Sequence, residues 1–326
     1  MDNGKEPGIL KKEEAFVRRI ISGHFGQEAG AGELFPVKYG MMNRSYLFSA
    51  GKERYIFRCN GVGTEQLIDR DNEAKIYELI RPLGIAEDVV ALSVDGGYKI
   101  SHYYEHSRVC DGHTREDVER CMSVLHALHN RGLTGAKPFD PFKLLLFYED
   151  VRKERTTDVP EYADVKEEVF SLRAFLEPYL TKHLTLCHVD SVSDNFLFVE
   201  GRESPYLIDW EYAGLSDPLL DVAMFAIYDN FSEEETERLL QAYFPDGCSA
   251  QERARVYAYM AAVCCGTTGA SIRRASGSRS GRMSRISTVS RRPIRKKCVG
   301  SWEAYDKTLS AVALSWHIER FSLGTE

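Results

Sequence analysis

Five polar residues flank a predicted β-hairpin in the second half of the chain: His188, Asp190, Asn195, Asp209 and Glu211. Apolar runs at 195–199 and 206–208, with a polar turn between them, indicate the hairpin. Because a hairpin brings its two ends together, we expect these side chains to converge. Such a set suits magnesium-assisted phosphoryl transfer, in which a carboxylate orients a hydroxyl group and oxygen atoms hold the metal.

The spacing of these residues is similar to that of a known family. The pattern H-x-D-x-x-x-x-N, followed by I-D-W-E, resembles the catalytic loop and metal-binding turn of aminoglycoside and choline kinases, relatives of protein kinases. The fuller strings LCHVDSVSDNFLF and YLIDWEYAGLSDPLLDVA resemble bacterial choline kinases of the phosphorylcholine-decoration pathway. The resemblance implies that Asp190 is the catalytic base, that Asn195 and Asp209 hold Mg²⁺, and that His188 braces the loop.

Length and composition narrow the class of protein. A chain of 326 residues with 43% hydrophobic residues suits two domains or lobes with a sizeable core. The net charge of −7 gives no general nucleic-acid signal. The eight cysteines form no C-x-x-C pair, which favours a reduced, cytoplasmic setting. We expect neither a signal peptide nor membrane insertion, because the N-terminus is polar and the apolar stretches are short.

The first part of the chain, residues 1–103, is predicted to be a nucleotide-binding lobe. An amphipathic helix is indicated at 11–25 and another at 69–81. Turn signals and apolar runs indicate a five-stranded antiparallel sheet, with strands at 35–39, 45–49, 54–59, 89–93 and 98–102.

Several residues of this lobe are candidates for contact with ATP. The loop GMMNRSY contains Asn43, and choline kinases carry a similar G-x-x-N-x-x-Y loop over the nucleotide. Arg58 ends the third strand, where kinases place a cation for the ATP phosphates, and its planar fork suits phosphate oxygens. The resemblance makes Glu73, on the following helix, the partner of Arg58. Tyr103 and Tyr104 mark the hinge, where backbone groups meet the adenine.

The second part, residues 104–265, is predicted to be mainly helical and to carry the catalytic loop and the metal site. Helices are indicated at 114–131, with Thr114 as the cap, and at 162–182, 218–230, 232–244 and 249–265. The predicted fold class is therefore α+β, a bilobal protein-kinase-like fold with ATP between the lobes.

The resemblance makes choline the expected acceptor of the phosphoryl group. A quaternary ammonium donates no N–H hydrogen bond, so its site needs aromatic faces and carboxylates. The candidates are Trp210, Glu211, Tyr212 and Asp229. Ethanolamine, thiamine or an aminoglycoside as acceptor, or an inactive remnant with an incomplete pocket, are the alternatives.

Residues 266–326 form an atypical basic tail. Residues 254–302 contain eleven Lys or Arg and no Asp or Glu. One interpretation is a poorly ordered segment. A second is a basic arm that binds an anion or a nucleic acid. A third is a frameshift near Gly266, because the resemblance implies an aromatic-rich helix there that helps close the choline pocket.

Overall fold

The computed structural model describes residues 7–39, 43–61, 64, 67–150 and 162–277. The helices are α1 (Pro7–Phe25), α2 (Gln27–Ala31), α3 (Arg70–Ile80), α4 (Arg115–His129), α5 (Pro141–Asp150), α6 (Tyr162–Ser171), α7 (Arg173–Thr181), α8 (Leu219–Tyr228), α9 (Glu233–Tyr243) and α10 (Ala250–Gly277). The strands are β1 (Phe35–Tyr39), β2 (Asn43–Ala50), β3 (Glu53–Asn60), β4 (Val89–Ser93), β5 (Tyr98–His102), β6 (Ser107–Val109), β7 (Thr185–Cys187), β8 (Phe196–Val199), β9 (Tyr206–Leu207) and β10 (Gly214–Ser216).

The chain divides into two compact units. Unit 1 is built from the residues up to Arg108 together with Leu197–Tyr212, and unit 2 from Val109–Phe196 and the residues after Tyr212. The segment that carries Asp209 and Glu211 thus groups with the N-terminal residues, although it follows the predicted catalytic loop in the sequence.

Unit 1 is centred on an antiparallel five-stranded sheet of order β1-β2-β3-β5-β4. The five strands predicted from the sequence are confirmed, and Gly51, at φ 64°, forms the turn between β2 and β3. Alternate side chains of β3 point to opposite faces. Phe57 packs with Val17 and Ile21 of α1 in the core, and this alternation places Arg58 on the other face.

Helix α3 begins after an aspartate that caps its first turn. Asp69 is the N-cap, and its carboxylate accepts a hydrogen bond of 3.0 Å from the N–H of Asn72. Ile76 and Ile80 are buried one turn apart. Glu73 is buried as well, and a buried carboxylate needs a partner.

Unit 2 is mainly helical, as predicted, and includes a small sheet in which β7 pairs antiparallel with β10. Its core contains Met122, Leu125, Phe225, Val256 and Tyr259. None of the helices in the described ranges is long and apolar enough to cross a membrane.

Two local predictions for unit 2 were wrong. Thr114 lies at the N-cap position of α4, but its hydroxyl accepts no hydrogen bond from the first turn and is turned instead toward Asp111, donating to Oδ2 at 3.0 Å. The helix predicted over 162–182 is divided at Leu172 into α6 and α7. At this point the backbone hydrogen bonds change from the α-helical pattern to the 3₁₀ pattern, in which an N–H donates to the carbonyl three residues earlier. The Leu172 N–H donates to the carbonyl of Val169 at 3.1 Å.

The end of α10 differs from the prediction as well, because its backbone continues past residue 265 to Gly277. The greater part of the predicted basic tail, residues 278–326, lies outside the described residues.

Candidate functional site

Arg58, the residue predicted to contact the ATP phosphates, forms a buried ion pair with Glu73. Arg58 Nη2 donates to Glu73 Oε1 at 2.5 Å, and both side chains are less than a tenth exposed. Strand β3 and helix α3 supply the two residues from positions 15 apart in sequence. The pairing predicted for Arg58 and Glu73 is therefore present in the structure.

The turn after β9 brings two more carboxylates to Arg58. Asp209 has a φ of 68°, and its Oδ1 accepts from Arg58 Nη1 at 3.0 Å. Glu211 Oε2 lies 3.6 Å from the same Arg58 nitrogen. Asp209 keeps 41% of its side chain exposed, whereas Glu211 keeps 5%. The turn thus presents one accessible carboxylate and one buried carboxylate.

A second arginine joins the same cluster. Arg70 Nη1 donates to Glu73 Oε2 at 2.7 Å and to Glu211 Oε2 at 2.9 Å. Arg70 Nη2 donates to Asn43 Oδ1 at 3.1 Å, and Asn43 Nδ2 donates to Glu211 Oε2 at 2.8 Å. Asn43, predicted to contact ATP, is therefore bonded to this cluster.

The charges in this cluster shift one another's pKa values. Burial alone would lower the pKa of Arg58, but the negative charges of Glu73 and Asp209 raise it above its ordinary value. Burial alone would raise the pKa of Glu73, but the positive charges around it, Arg58 first, lower it. Burial and the neighbouring charge of Asp209 raise the pKa of Glu211.

The predicted hinge is organised by aromatic contacts in unit 1. The Tyr103 N–H donates to the Arg54 carbonyl at 2.9 Å, and the Arg54 guanidinium lies over the Tyr103 ring, 4.9 Å from its centroid. The Tyr104 ring stacks on Tyr206 at 4.8 Å. The Tyr104 hydroxyl donates to Asp88 Oδ2 at 3.1 Å. These contacts fix both predicted hinge residues.

The predicted catalytic loop lies in unit 2, between β7 and β8. Asn195 Nδ2 donates to the backbone carbonyl of Asp190 at 2.8 Å and to Asp190 Oδ2 at 3.2 Å. Within the described residues, both hydrogen bonds of this amide are made by its nitrogen, which leaves its oxygen available to a ligand. The structure therefore brings Asp190 and Asn195 together, as the spacing predicted.

The buried carboxylate of Asp221 supports the backbone of the same loop. Asp221 accepts from the N–H groups of His188 at 2.8 Å and Val189 at 2.7 Å, and from His129 Nε2 at 3.0 Å. His129 Nδ1 lies 2.8 Å from the Tyr243 hydroxyl. Burial alone would raise the pKa of Asp221, but the hydrogen bond and charge of His129 lower it. His188 is fully buried, in keeping with a bracing role.

The four predicted substrate residues have different surroundings. Trp210 is fully buried, and its Nε1 donates to the Leu207 carbonyl at 2.7 Å. Glu211 is enclosed by the arginines, and Tyr212 is partly buried. In unit 2, Asp229 Oδ1 accepts from Ser193 Oγ at 2.7 Å. Burial raises the pKa of Asp229.

Sequence reasoning missed Arg70 and His129. A signal for Arg70 was present, because it lies three residues before Glu73 on one face of a helix. His129 gives no comparable signal, since a histidine at the end of an amphipathic helix is common.

Comparison with known proteins assigns the chain to a family. The family model for the phosphotransferase enzyme family matches residues 35–259, well over half of the chain. The chain belongs to this phosphotransferase family. The family resemblance indicated by the sequence motifs, with choline kinases among its members, is confirmed.

Two known proteins with similar sequences carry different names. Protein LicA of Haemophilus influenzae is 26% identical over 210 residues, which cover 63% of this chain and 60% of LicA. A probable ethanolamine kinase of Nematostella vectensis is 25% identical over 184 residues, covering 53% of this chain and 52% of the relative. The phosphotransferase chain thus spans between half and two thirds of these two relatives.

Solved structures of the family share the fold. Choline kinase LicA from Streptococcus pneumoniae superposes with a TM-score of 0.70 at 24% identity, covering 92% of this chain and 99% of LicA. LicA in complex with AMP gives a TM-score of 0.71 at 24% identity, covering 91% and 99% of the two chains. The protein-kinase-like α+β fold predicted from the sequence is confirmed.

Proposed function

We propose that this phosphotransferase is a MgATP-dependent kinase that phosphorylates the hydroxyl group of a small amino alcohol, with choline as the first candidate. The observation that carries the proposal is the hydrogen-bonded pair of Asp190 and Asn195 in a chain of the phosphotransferase family. A carboxylate beside an amide in such a loop is the arrangement that orients a hydroxyl group and supplies a metal ligand.

Each residue is assigned a part in one reaction. The acceptor's hydroxyl oxygen attacks the γ-phosphorus of ATP, the bond to the bridging oxygen breaks, and ADP leaves. Asp190 accepts the hydroxyl proton. His188 keeps its bracing role. Arg58 holds the phosphate groups, with Glu73 fixing its orientation.

The proposed metal ligands fit a hard cation. The amide of Asn195 donates through its nitrogen to Asp190, which turns its oxygen toward other partners. Asp209 offers a carboxylate with 41% of its side chain exposed. Oxygen donors of this kind are those that Mg²⁺ prefers, and the ion would neutralise the charge of the transferring phosphoryl group.

The nucleotide assignment extends to the hinge. The Tyr103 N–H and the Tyr104 carbonyl already make hydrogen bonds, to Arg54 and Ser107. We assign the remaining backbone groups of this segment to the adenine: the Tyr103 carbonyl and the Tyr104 N–H belong to one trans peptide and point in opposite directions, so one of the two faces the base. Asn43 is assigned to the phosphate region, next to Arg58.

For the acceptor we retain Glu211, Tyr212 and Asp229 as candidates. Trp210 is left out, because a fully buried ring presents no face to a cation. Ethanolamine is the second candidate acceptor, since ethanolamine kinases are among the relatives. The cytoplasmic location and the effect of the tail on the choline pocket stay predictions from the sequence.

The proposal is tested by measuring ADP formation by the full-length chain with MgATP and each of four acceptors: choline, ethanolamine, thiamine and an aminoglycoside. We expect the highest kcat/KM with choline or ethanolamine. Asp190→Asn supplies the blank for acceptor-independent ATP hydrolysis. The proposal fails if none of the acceptors is phosphorylated, or if the aminoglycoside or thiamine is the best substrate.

A further inference from the structure

Arg70 is bonded to three segments that lie far apart in the sequence. Its guanidinium contacts Glu73 on its own helix, Asn43 at the start of β2, and Glu211 in the turn after β9. Asn43 and Glu211 are themselves joined at 2.8 Å, so Arg70, Asn43 and Glu211 form a closed triangle of hydrogen bonds. Arg70 is 11% exposed and Glu211 5%.

The hydrogen bonds of Arg70 require the planar shape of a guanidinium group. A guanidinium presents several N–H donors in a rigid plane, so Arg70 can meet two carboxylates and an amide at once. A lysine at the same position offers one nitrogen on a flexible stem. The arrangement therefore depends on the planar group as well as on its positive charge.

The cluster around the triangle contains more negative than positive side chains. Arg58 and Arg70 face Glu73, Asp209 and Glu211, and both arginines contact Glu73 and Glu211. Arg58 is the arginine that reaches Asp209. With Glu211 held by Arg70 and Asn43, the most exposed carboxylate of the set is that of Asp209. A set with one surplus negative charge and one accessible carboxylate is suited to a cation.

We propose that Arg70 is a positioning residue for the nucleotide-metal site, acting by fixing Glu211 and hence the turn that carries Asp209. Glu211 is then a support of that turn, and it does not bind the acceptor's ammonium group. The inference rests on the proposed function, in which Asp209 is a metal ligand, and it replaces the acceptor role considered above for Glu211.

The test is a double-mutant cycle on the full-length chain with Arg70→Met, Glu211→Gln and the two combined. Calorimetry measures the affinity for MgADP and for metal-free ADP, in the absence of any acceptor. Steady-state kinetics measure the KM for MgATP and for choline. Arg81→Met is the matched control, because Arg81 is exposed at the end of the same helix.

We expect Arg70→Met to weaken MgADP binding on the order of tenfold or more, as contacting residues in one network are coupled. The affinity for metal-free ADP should change less. Adding Glu211→Gln to that variant should cost little further, because the two residues act together. The KM for choline should stay close to that of the parent.

Other results overturn the inference. Additive losses of MgADP affinity would show that Arg70 and Glu211 act independently. A raised choline KM in Glu211→Gln, with MgADP affinity unchanged, would make Glu211 an acceptor ligand. If Arg70→Met does not fold, Arg70→Lys takes its place, and parental MgADP affinity in that variant would also refute the proposal.

The cycle separates this inference from the proposed function. A parent chain that binds MgADP but phosphorylates none of the acceptors refutes the proposed function. In that case the MgADP affinities of the double-mutant cycle still test the positioning role of Arg70. A parent chain that does not bind MgADP refutes both.

Discussion

The buried carboxylate of Asp221 accepts a 2.7 Å hydrogen bond from the backbone N–H of Val189, whose φ is 69°. A β-branched residue is rarely found in this left-handed region, because its side chain crowds the backbone. Such a conformation costs on the order of 1–3 kcal/mol and persists only when its surroundings enforce it. Val189 immediately precedes Asp190, so Asp221 sets the backbone from which the proposed base projects.

Asp221→Ala should therefore destabilise unit 2 and reduce turnover. The change leaves three buried donors without their acceptor: the N–H groups of His188 and Val189, and His129 Nε2. Each unsatisfied group costs about 1–3 kcal/mol, so we expect a loss of at least about 3 kcal/mol in urea unfolding. Asp246→Asn, at an exposed position, is the control. An unfolding midpoint equal to the parent's would contradict the supporting role of Asp221.

Asp190→Asn should abolish phosphoryl transfer and leave the fold intact. The amide cannot take the hydroxyl proton, but it matches the carboxylate in size. The affinity for MgADP should change little. Asp194→Asn is the comparison, since Asp194 is exposed and accepts a hydrogen bond from Tyr228. Turnover near the parent's in Asp190→Asn would remove Asp190 from the role of base.

Asp209→Ala should abolish the advantage that Mg²⁺ gives to nucleotide binding. The change removes the accessible oxygen ligand and leaves Arg58 paired with Glu73. Calorimetry with ADP, with and without Mg²⁺, measures the effect. Equal MgADP affinity in the variant and the parent would exclude Asp209 as a metal ligand.

Glu73→Gln should lower the free energy of unfolding by about 3 kcal/mol, because removing one charge of a buried pair leaves the other uncompensated. Arg58 and Arg70 both lose a charged partner. Glu78→Gln, on the exposed side of the same helix, should stay within about 0.5 kcal/mol of the parent. Chemical denaturation measures both, and similar losses in the two variants would refute the prediction.

Glu235→Ala should lower stability in a pH-dependent way. Glu235 and Ser232 form a capping box at the start of α9, and hydrogen bonds from Ser232 lower the pKa of Glu235 to about 2. A depressed carboxyl pKa stabilises the fold above the unfolded value of 4.5, and that contribution is lost as the pH falls toward about 2.

The difference between parent and Glu235→Ala should thus be about 0.3–1 kcal/mol near pH 7, be present down to about pH 4.5, and shrink below it. Glu234→Ala removes an 82% exposed carboxylate paired with Arg238 and serves as the control. Melting curves across this pH range measure both. A difference that grows as the pH falls below about 4.5 has the wrong sign for this linkage.

Much of unit 1 was predictable because its determinants are local. Short apolar runs and the glycine turn at Gly51 specify β2 and β3, and Asp69 marks the start of α3. The division of the helix at Leu172 was not predictable, because both parts carry helix-forming residues and the change lies in which carbonyls accept the hydrogen bonds.

The sequence by itself determined the five strands of the main sheet, the family, and the loop that joins Asp190 to Asn195, since short spacings carry that information. Only the tertiary structure decided that Arg70 meets Glu211, 141 residues away, and that Asp221 supports Val189. Periodicity shows which face of an element is buried, but not which charge on another element lies opposite. Packing makes that choice, because a buried charge is stable only where a partner is brought to it.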